Sequence, residues 1–175
     1  MYTTFIADDE LIIRQGLRCI LDWEELGFQI IGEAANGADA LDFIIKNNPD
    51  LVLLDIRMPQ ILGTEIVRRA KEHGFTGKFI ILSGFTDFEY TQAAIHYGVD
   101  YYLTKPIDED ALLETVKNIA LQLDTSKHQQ EMFLEYKRKA HDMILHDILI
   151  GHDIPTAPDN FDRSEERRVG KECRS

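Results

Sequence analysis

The strongest pattern in the chain is Leu51-Val52-Leu53-Leu54, four aliphatic residues in a row after Pro49 and Asp50. A run with no polar alternation reads as a strand buried on both faces, as in the middle of a parallel sheet. Asp55 follows it directly, and Ile56-Arg57-Met58-Pro59 form the turn that leaves it. Upstream, Thr3 to Ala7 reads as a first strand ending at Asp8-Asp9-Glu10. A helix follows to about Leu21, with Leu11, Ile12, Gln15, Cys19 and Ile20 at helical spacing beside Leu17 and Leu21. Asp22 to Phe28 connects it, with a stop at Gly27, to a second strand at Gln29 to Ala34. Asn36 caps a helix reaching about Asn47, with Ala40, Leu41, Ile44 and Ile45 on its inner face.

Beyond the central strand, a helix beginning near Gly63 turns Ile66, Val67 and Ala70 inward and ends at Gly74. Lys78 to Leu82 is a fourth strand, ending at Ser83-Gly84. Thr86 and Glu89 form a capping-box pair for a helix that runs to Tyr97 and stops at Gly98. Asp100 to Leu103 is a fifth strand, followed by Thr104-Lys105-Pro106. A last helix opens at Asp108 and carries Leu112, Leu113, Val116, Ile119, Ala120 and Leu123. Five strands alternating with five helices specify a doubly wound α/β domain, a parallel sheet covered on both faces. The expected strand order is the flavodoxin-like 2-1-3-4-5.

From Asp124 to Glu131 the chain is polar, and a helical stripe then returns from Met132 to about Ile150. Residues 1–123 therefore read as the folded domain and 124–150 as a helical linker, with a coiled coil as the alternative, broken in heptad at Ser126 and Gln130. Residues 151–175 read as an unstructured end. Within it, Arg163 to Ser175 resembles the conceptual translation of a sequencing-adaptor oligonucleotide, so the natural sequence is expected to continue past about Asp162.

Composition narrows the function classes. At 175 residues with a formal net charge of −12, this piece lacks the basic face that phosphate contacts need, which argues against direct DNA binding. Cys19 and Cys173 make no disulfide framework. No apolar run approaches a membrane span, and Met1-Tyr2-Thr3-Thr4 has no basic leader, so no membrane role and a cytoplasmic location are expected. His141, His146 and His152 follow no metal-ligand spacing.

The residues with chemistry all fall at the C-terminal ends of strands, where open α/β sheets bind ligands. Asp8 and Asp9 follow the first strand, Asp55 the third, Ser83 the fourth and Lys105 the fifth. In the expected order these strand ends lie side by side, and three carboxylates, a hydroxyl and a lysine converge on one crevice. Clustered acids call for a hard cation, and Mg²⁺ suits one or two carboxylates completed by water and phosphate oxygens. Lys105 supplies a point charge for an anion arriving beside Asp55. The assembly reads as a phosphoryl-accepting carboxylate with its metal and counter-charge.

Asp8-Asp9-Glu10, Asp55-Ile56-Arg57-Met58-Pro59, Ser83-Gly84 and Lys105-Pro106 together resemble the receiver domain of two-component response regulators, over about Met1 to Leu123. The resemblance implies that a sensor histidine kinase donates a phosphoryl group to Asp55. It implies Mg²⁺ bound by Asp9, Asp55 and the Arg57 carbonyl, with Asp8 acting nearby or through water. Ser83, Gly84 and Lys105 would bind the phosphoryl oxygens, and Lys105-Pro106 would be a cis peptide. Tyr102 matches the family's aromatic switch, turning inward as Ser83 moves, and Arg57 and Phe85 would flank the path of attacking water. Phosphorylation would favour a homodimer.

A narrower likeness, in Asp22 to Phe28 and Gly84 to Tyr90, points to receivers joined to AraC-type helix-turn-helix DNA-binding domains. DNA would then be reached only through a C-terminal domain missing from this chain. Two other readings compete. One is a stand-alone phosphorelay receiver without DNA output. The other is an aspartyl-phosphate phosphatase of the haloacid-dehalogenase type, which needs a second acid where Arg57 stands.

Overall fold

The computed structural model describes residues 1–84 and 98–150, with side chains to 146. The expected helix from Thr86 to Tyr97, its capping pair, Phe85 and everything after Ile150 lie outside the described residues. The elements are β1 (Tyr2–Ala7), α1 (Leu11–Cys19), β2 (Phe28–Ala34), α2 (Gly37–Asn47), β3 (Leu51–Asp55), α3 (Gly63–Glu72), β4 (Lys78–Ser83), β5 (Tyr101–Thr104) and α4 (Glu109–Ile150). The strands form one sheet in the order β2-β1-β3-β4-β5, and every pair is parallel. The chain divides into two compact units, Met1–Ser126 and Lys127–Ser175, with the boundary inside α4.

β3 is buried at every residue, as its unbroken aliphatic run predicts. Its side chains alternate between two cores because successive residues of a strand point to opposite faces. Val52 and Leu54 join Phe5, Ala40, Ile44, Ile66 and Val67 under α2 and α3. Leu51 and Leu53 join Ile6, Leu17, Phe28, Leu112 and Val116 under α1 and the first turns of α4. Each fully buried aliphatic side chain contributes about 1.5–3 kcal/mol, so β3 anchors both layers.

The helix ends follow local chemistry. Asn36 Oδ1 accepts from the Asp39 amide at 2.9 Å and starts α2. Asp108 Oδ1 accepts from the Ala111 amide at 2.8 Å and starts α4. The face of α1 differs from the expected one. Leu11 and Ile12 are 55% and 72% exposed and Cys19 is exposed, whereas Arg14 and Leu17 are the buried residues. Nine residues are too few for periodicity to choose between faces when apolar side chains occupy both. Ile45 of α2 is likewise exposed, while Ala40 and Ile44 face the core.

The loop after β3 is held tightly at two glycines. The Gly63 amide donates to the Ile56 carbonyl at 2.8 Å, and the Gly37 amide to the Pro59 carbonyl at 3.0 Å. A methyl group at Gly63 would collide with the Asp55 carbonyl, and one at Gly37 with the Ile61 carbonyl. Both positions therefore need glycine for close backbone approach.

Candidate functional site

Asp55 is the last residue of β3, and its side chain stands in the crevice where β1, β3 and β5 end. Its carboxylate is almost wholly buried, and its two oxygens have different partners. Oδ1 lies 2.8 Å from Lys105 Nζ. Oδ2 accepts from the Arg57 amide at 2.9 Å. Lys105 also reaches Asp8, its Nζ lying 2.7 Å from Oδ2. The other Asp8 oxygen accepts from the Glu10 amide at 2.9 Å. One ammonium thus bridges two buried carboxylates that arrive on different strands.

Burial sets the electrostatics. It pushes the Asp55 carboxyl above its ordinary range, against the pull of the Lys105 ammonium, and the neighbouring Asp8 adds to the rise. For Lys105, burial disfavours the charged form, but its bonds to Asp55 and Asp8 outweigh that cost and the net shift is upward. Two buried carboxylates share one ammonium, an excess of acid that a cation would neutralise.

Ser83, at the end of β4, is fully buried and donates from Oγ to the Gly84 carbonyl at 3.0 Å. The Lys105 amide donates to the Ser83 carbonyl at 2.7 Å, so the two share a backbone link beside Asp55. The Lys105–Pro106 peptide is cis. Tyr102 is half-buried and packs against the core under α2 and α3. Arg57 is exposed, and Phe85 lies outside the described residues.

Asp8 and Asp9 separate. Asp8 is buried against Lys105, whereas Asp9 is exposed at the rim. Among the described residues, no three His, Cys, Asp or Glu side chains gather into a metal-binding cluster. Lys105 joins two of the three expected acids, Asp8 and Asp55, and Asp9 is exposed next to Asp8 in the chain. That donor set still fits Mg²⁺, which takes one or two carboxylates and fills its remaining positions with water. All of it is hard oxygen, and Asp8 with Asp55 already holds one cation between them.

Sequence reasoning missed Arg14. Its Nη1 donates to the Asp8 carbonyl at 2.7 Å and the Asp9 carbonyl at 3.3 Å. Its place three residues before the buried Leu17, on the same face of α1, was the available signal.

A parallel sheet in this order, with a buried acid–lysine–acid bridge at its C-terminal edge, defines a receiver. Residues 4–117 match the family model for the response regulator receiver domain, and the chain belongs to that family. It is 39% identical over 123 residues to an uncharacterized transcriptional regulatory protein, YesN, of Bacillus subtilis, covering 70% of this chain and 33% of the relative. It is 40% identical to the transcriptional regulatory protein HptR of Staphylococcus aureus, covering 66% of this chain and 45% of the relative. The chain thus spans between a third and half of the curated relatives it matches.

Among solved structures it resembles the receiver domain of AraT, a response regulator from Geobacillus stearothermophilus. The TM-score is 0.69 at 34% identity, covering 72% of this chain and 98% of that one. It also resembles a two-component transcriptional regulator AraC from Clostridium phytofermentans, with a TM-score of 0.63 at 33% identity, covering 70% of this chain and 97% of that one. Receivers of this family are partners of sensor histidine kinases and are in general signalling domains rather than enzymes. No helix among the described residues is long and apolar enough to cross a membrane.

Proposed function

We propose that this chain is the phosphoacceptor module of a two-component transcriptional regulator, and that Asp55 receives the phosphoryl group of a sensor histidine kinase. The bridge from Lys105 to Asp55 and Asp8 carries the reading. A carboxylate oxygen of Asp55 attacks phosphorus, a P–O bond forms as the P–N bond of the phosphohistidine breaks, and the leaving imidazole takes a proton from water. Lys105 then pairs with a phosphoryl oxygen, while the Ser83 hydroxyl and the Gly84 amide donate to others.

Mg²⁺ would be held by Asp55, Asp9 and the Arg57 carbonyl, with Asp8 acting through water, and would supply charge neutralisation at the incoming phosphoryl group. Arg57, two residues after the phosphoacceptor, would flank the approach of hydrolytic water. The filled site draws Ser83 inward, and Tyr102 follows into the space it frees. That movement favours a homodimer, and residues 124–150 serve as a linker to an output domain that binds DNA. The names of the relatives, transcriptional regulators longer than this chain, support that output.

The test is phosphorylation of the chain by acetyl phosphate with Mg²⁺. One acid-labile phosphoryl group is expected on the wild type and none on Asp55→Asn. Equal labelling of both would overturn the assignment. Sedimentation with and without beryllofluoride reads the association step, and identical monomer–dimer distributions would refute it.

A further inference from the structure

We infer that Arg14 is a positioning residue for the two acids that follow β1. The inference rests on the reading of Asp8, Asp9 and Asp55 as a Mg²⁺-binding phosphoacceptor site. Arg14 and Leu17 are the two buried residues of α1, and Leu17 packs into the core while Arg14 does not join it. An arginine with 8% exposure carries a desolvation cost that an aliphatic residue would avoid, so its bonds must account for its place.

Those bonds are specific. Nη1 donates to the carbonyl of Asp8 at 2.7 Å and to that of Asp9 at 3.3 Å. Both carbonyls fall in the gap between two regular elements. The β1 ladder ends at Ala7, and the carbonyl of Glu10 is the first to accept from α1, bonding the Ile13 and Arg14 amides. Arg14 thus satisfies the backbone of the very residues whose side chains carry the site. Among the described residues its Nε makes no hydrogen bond, and it lies 3.7 Å from Glu33 Oε1 near the end of β2. Glu33 also meets Arg18 Nη1 at 3.3 Å.

The consequence is geometric. Holding two successive carbonyls on one side leaves the peptide between Asp8 and Asp9 little freedom to rotate. The Asp8 side chain then stays turned to Lys105, with Oδ1 taken by the Glu10 amide. Asp9 stays at the rim. Without Arg14 the loop keeps its acids but loses their fixed direction, as happens when the outer support of a metal ligand is removed.

Arg14→Met tests this, because methionine keeps an unbranched apolar stem and removes the donors. Two measurements on the full chain are needed. In the metal-free protein, amide exchange at Glu10 should quicken about tenfold as the Asp8 turn loosens. In a Mg²⁺ titration by calorimetry, the dissociation constant should rise about tenfold or more, while the thermal midpoint stays near that of the wild type. Arg14→Lys, which offers an ammonium to one carbonyl at a time, should recover part of both effects. Unchanged exchange at Glu10, or Mg²⁺ affinity equal to wild type in Arg14→Met, would overturn the inference. If wild-type chain binds no Mg²⁺, the metal reading of the site falls, and the Glu10 exchange still decides whether Arg14 sets the loop.

Discussion

Lys105 Nζ lies 2.8 Å from Asp55 Oδ1, reaching across the end of β4 from β5 to β3. With Asp8 at 2.7 Å on its other side, the lysine is the one cation among the described residues bonded to both acids. Replacing it by methionine leaves two buried carboxylates facing each other. Lys105→Met is expected to cost about 3 kcal/mol of stability. Chemical denaturation at neutral pH measures that, and a loss well under 1 kcal/mol would show that the bridge is not structurally coupled. Addition of Mg²⁺ should restore part of the loss.

The raised Asp55 carboxyl gives a pH signature with a definite sign. A group whose folded pKa exceeds its unfolded one favours folding while protonated, and that advantage is lost as pH rises through the folded value. At neutral pH the ionised Asp55 therefore opposes folding. Asp55→Asn should melt at a higher temperature than wild type at pH 7, with the gap narrowing as pH falls below the folded value. A lower melting temperature at pH 7 would contradict the shift.

Tyr2 offers the opposite end of the pH scale. Its hydroxyl donates to Asp124 Oδ1 at 2.6 Å, and burial followed by that bond raises its pKa from 10.0 to about 12. The contribution is complete below pH 10.0 and is lost as pH rises through about 12. Tyr2→Phe should be about 1 kcal/mol less stable at pH 8, and the difference should vanish at the alkaline end. A constant difference across that window would mean the phenol does not hold Asp124.

The tight loop after β3 predicts intolerance at Gly63. An alanine there meets the Asp55 carbonyl, so Gly63→Ala should cost about 1–3 kcal/mol. Gln60 sits at φ +73°, where a glycine fits better. Gln60→Gly should be neutral or stabilising by up to about 1 kcal/mol. Urea denaturation of the two variants checks both signs.

The central strand was legible because burial on both faces leaves an unbroken aliphatic run, and the βα alternation specified a parallel sheet. Asp55, Ser83 and Lys105 were legible as strand-end residues. What separates Asp8 from Asp9 was not, since adjacent acids look alike until the turn after β1 sends one toward Lys105 and leaves the other exposed. The face of α1 was not legible either. Arg14 is buried by the carbonyls of a preceding loop, a tertiary demand that apolar periodicity cannot register, and Leu11 and Ile12 are left outside. Gly37 was invisible as a contact because the Ile61 carbonyl it faces comes from a distant loop.

One property of α4 governs how the protein comes apart. From Thr125 to His146 not one side chain is buried, and Met132, Phe133, Tyr136 and Met143 are all more than half exposed. The Glu135–Lys139 pair at 2.8 Å is the kind of support this stretch has, worth a few tenths of a kcal/mol. A helix without a packed face holds only by its own propagation, which is marginal in water. Heating should therefore unwind this stretch as a gradual slope in far-ultraviolet dichroism, well before the sheet melts in a single sharp step.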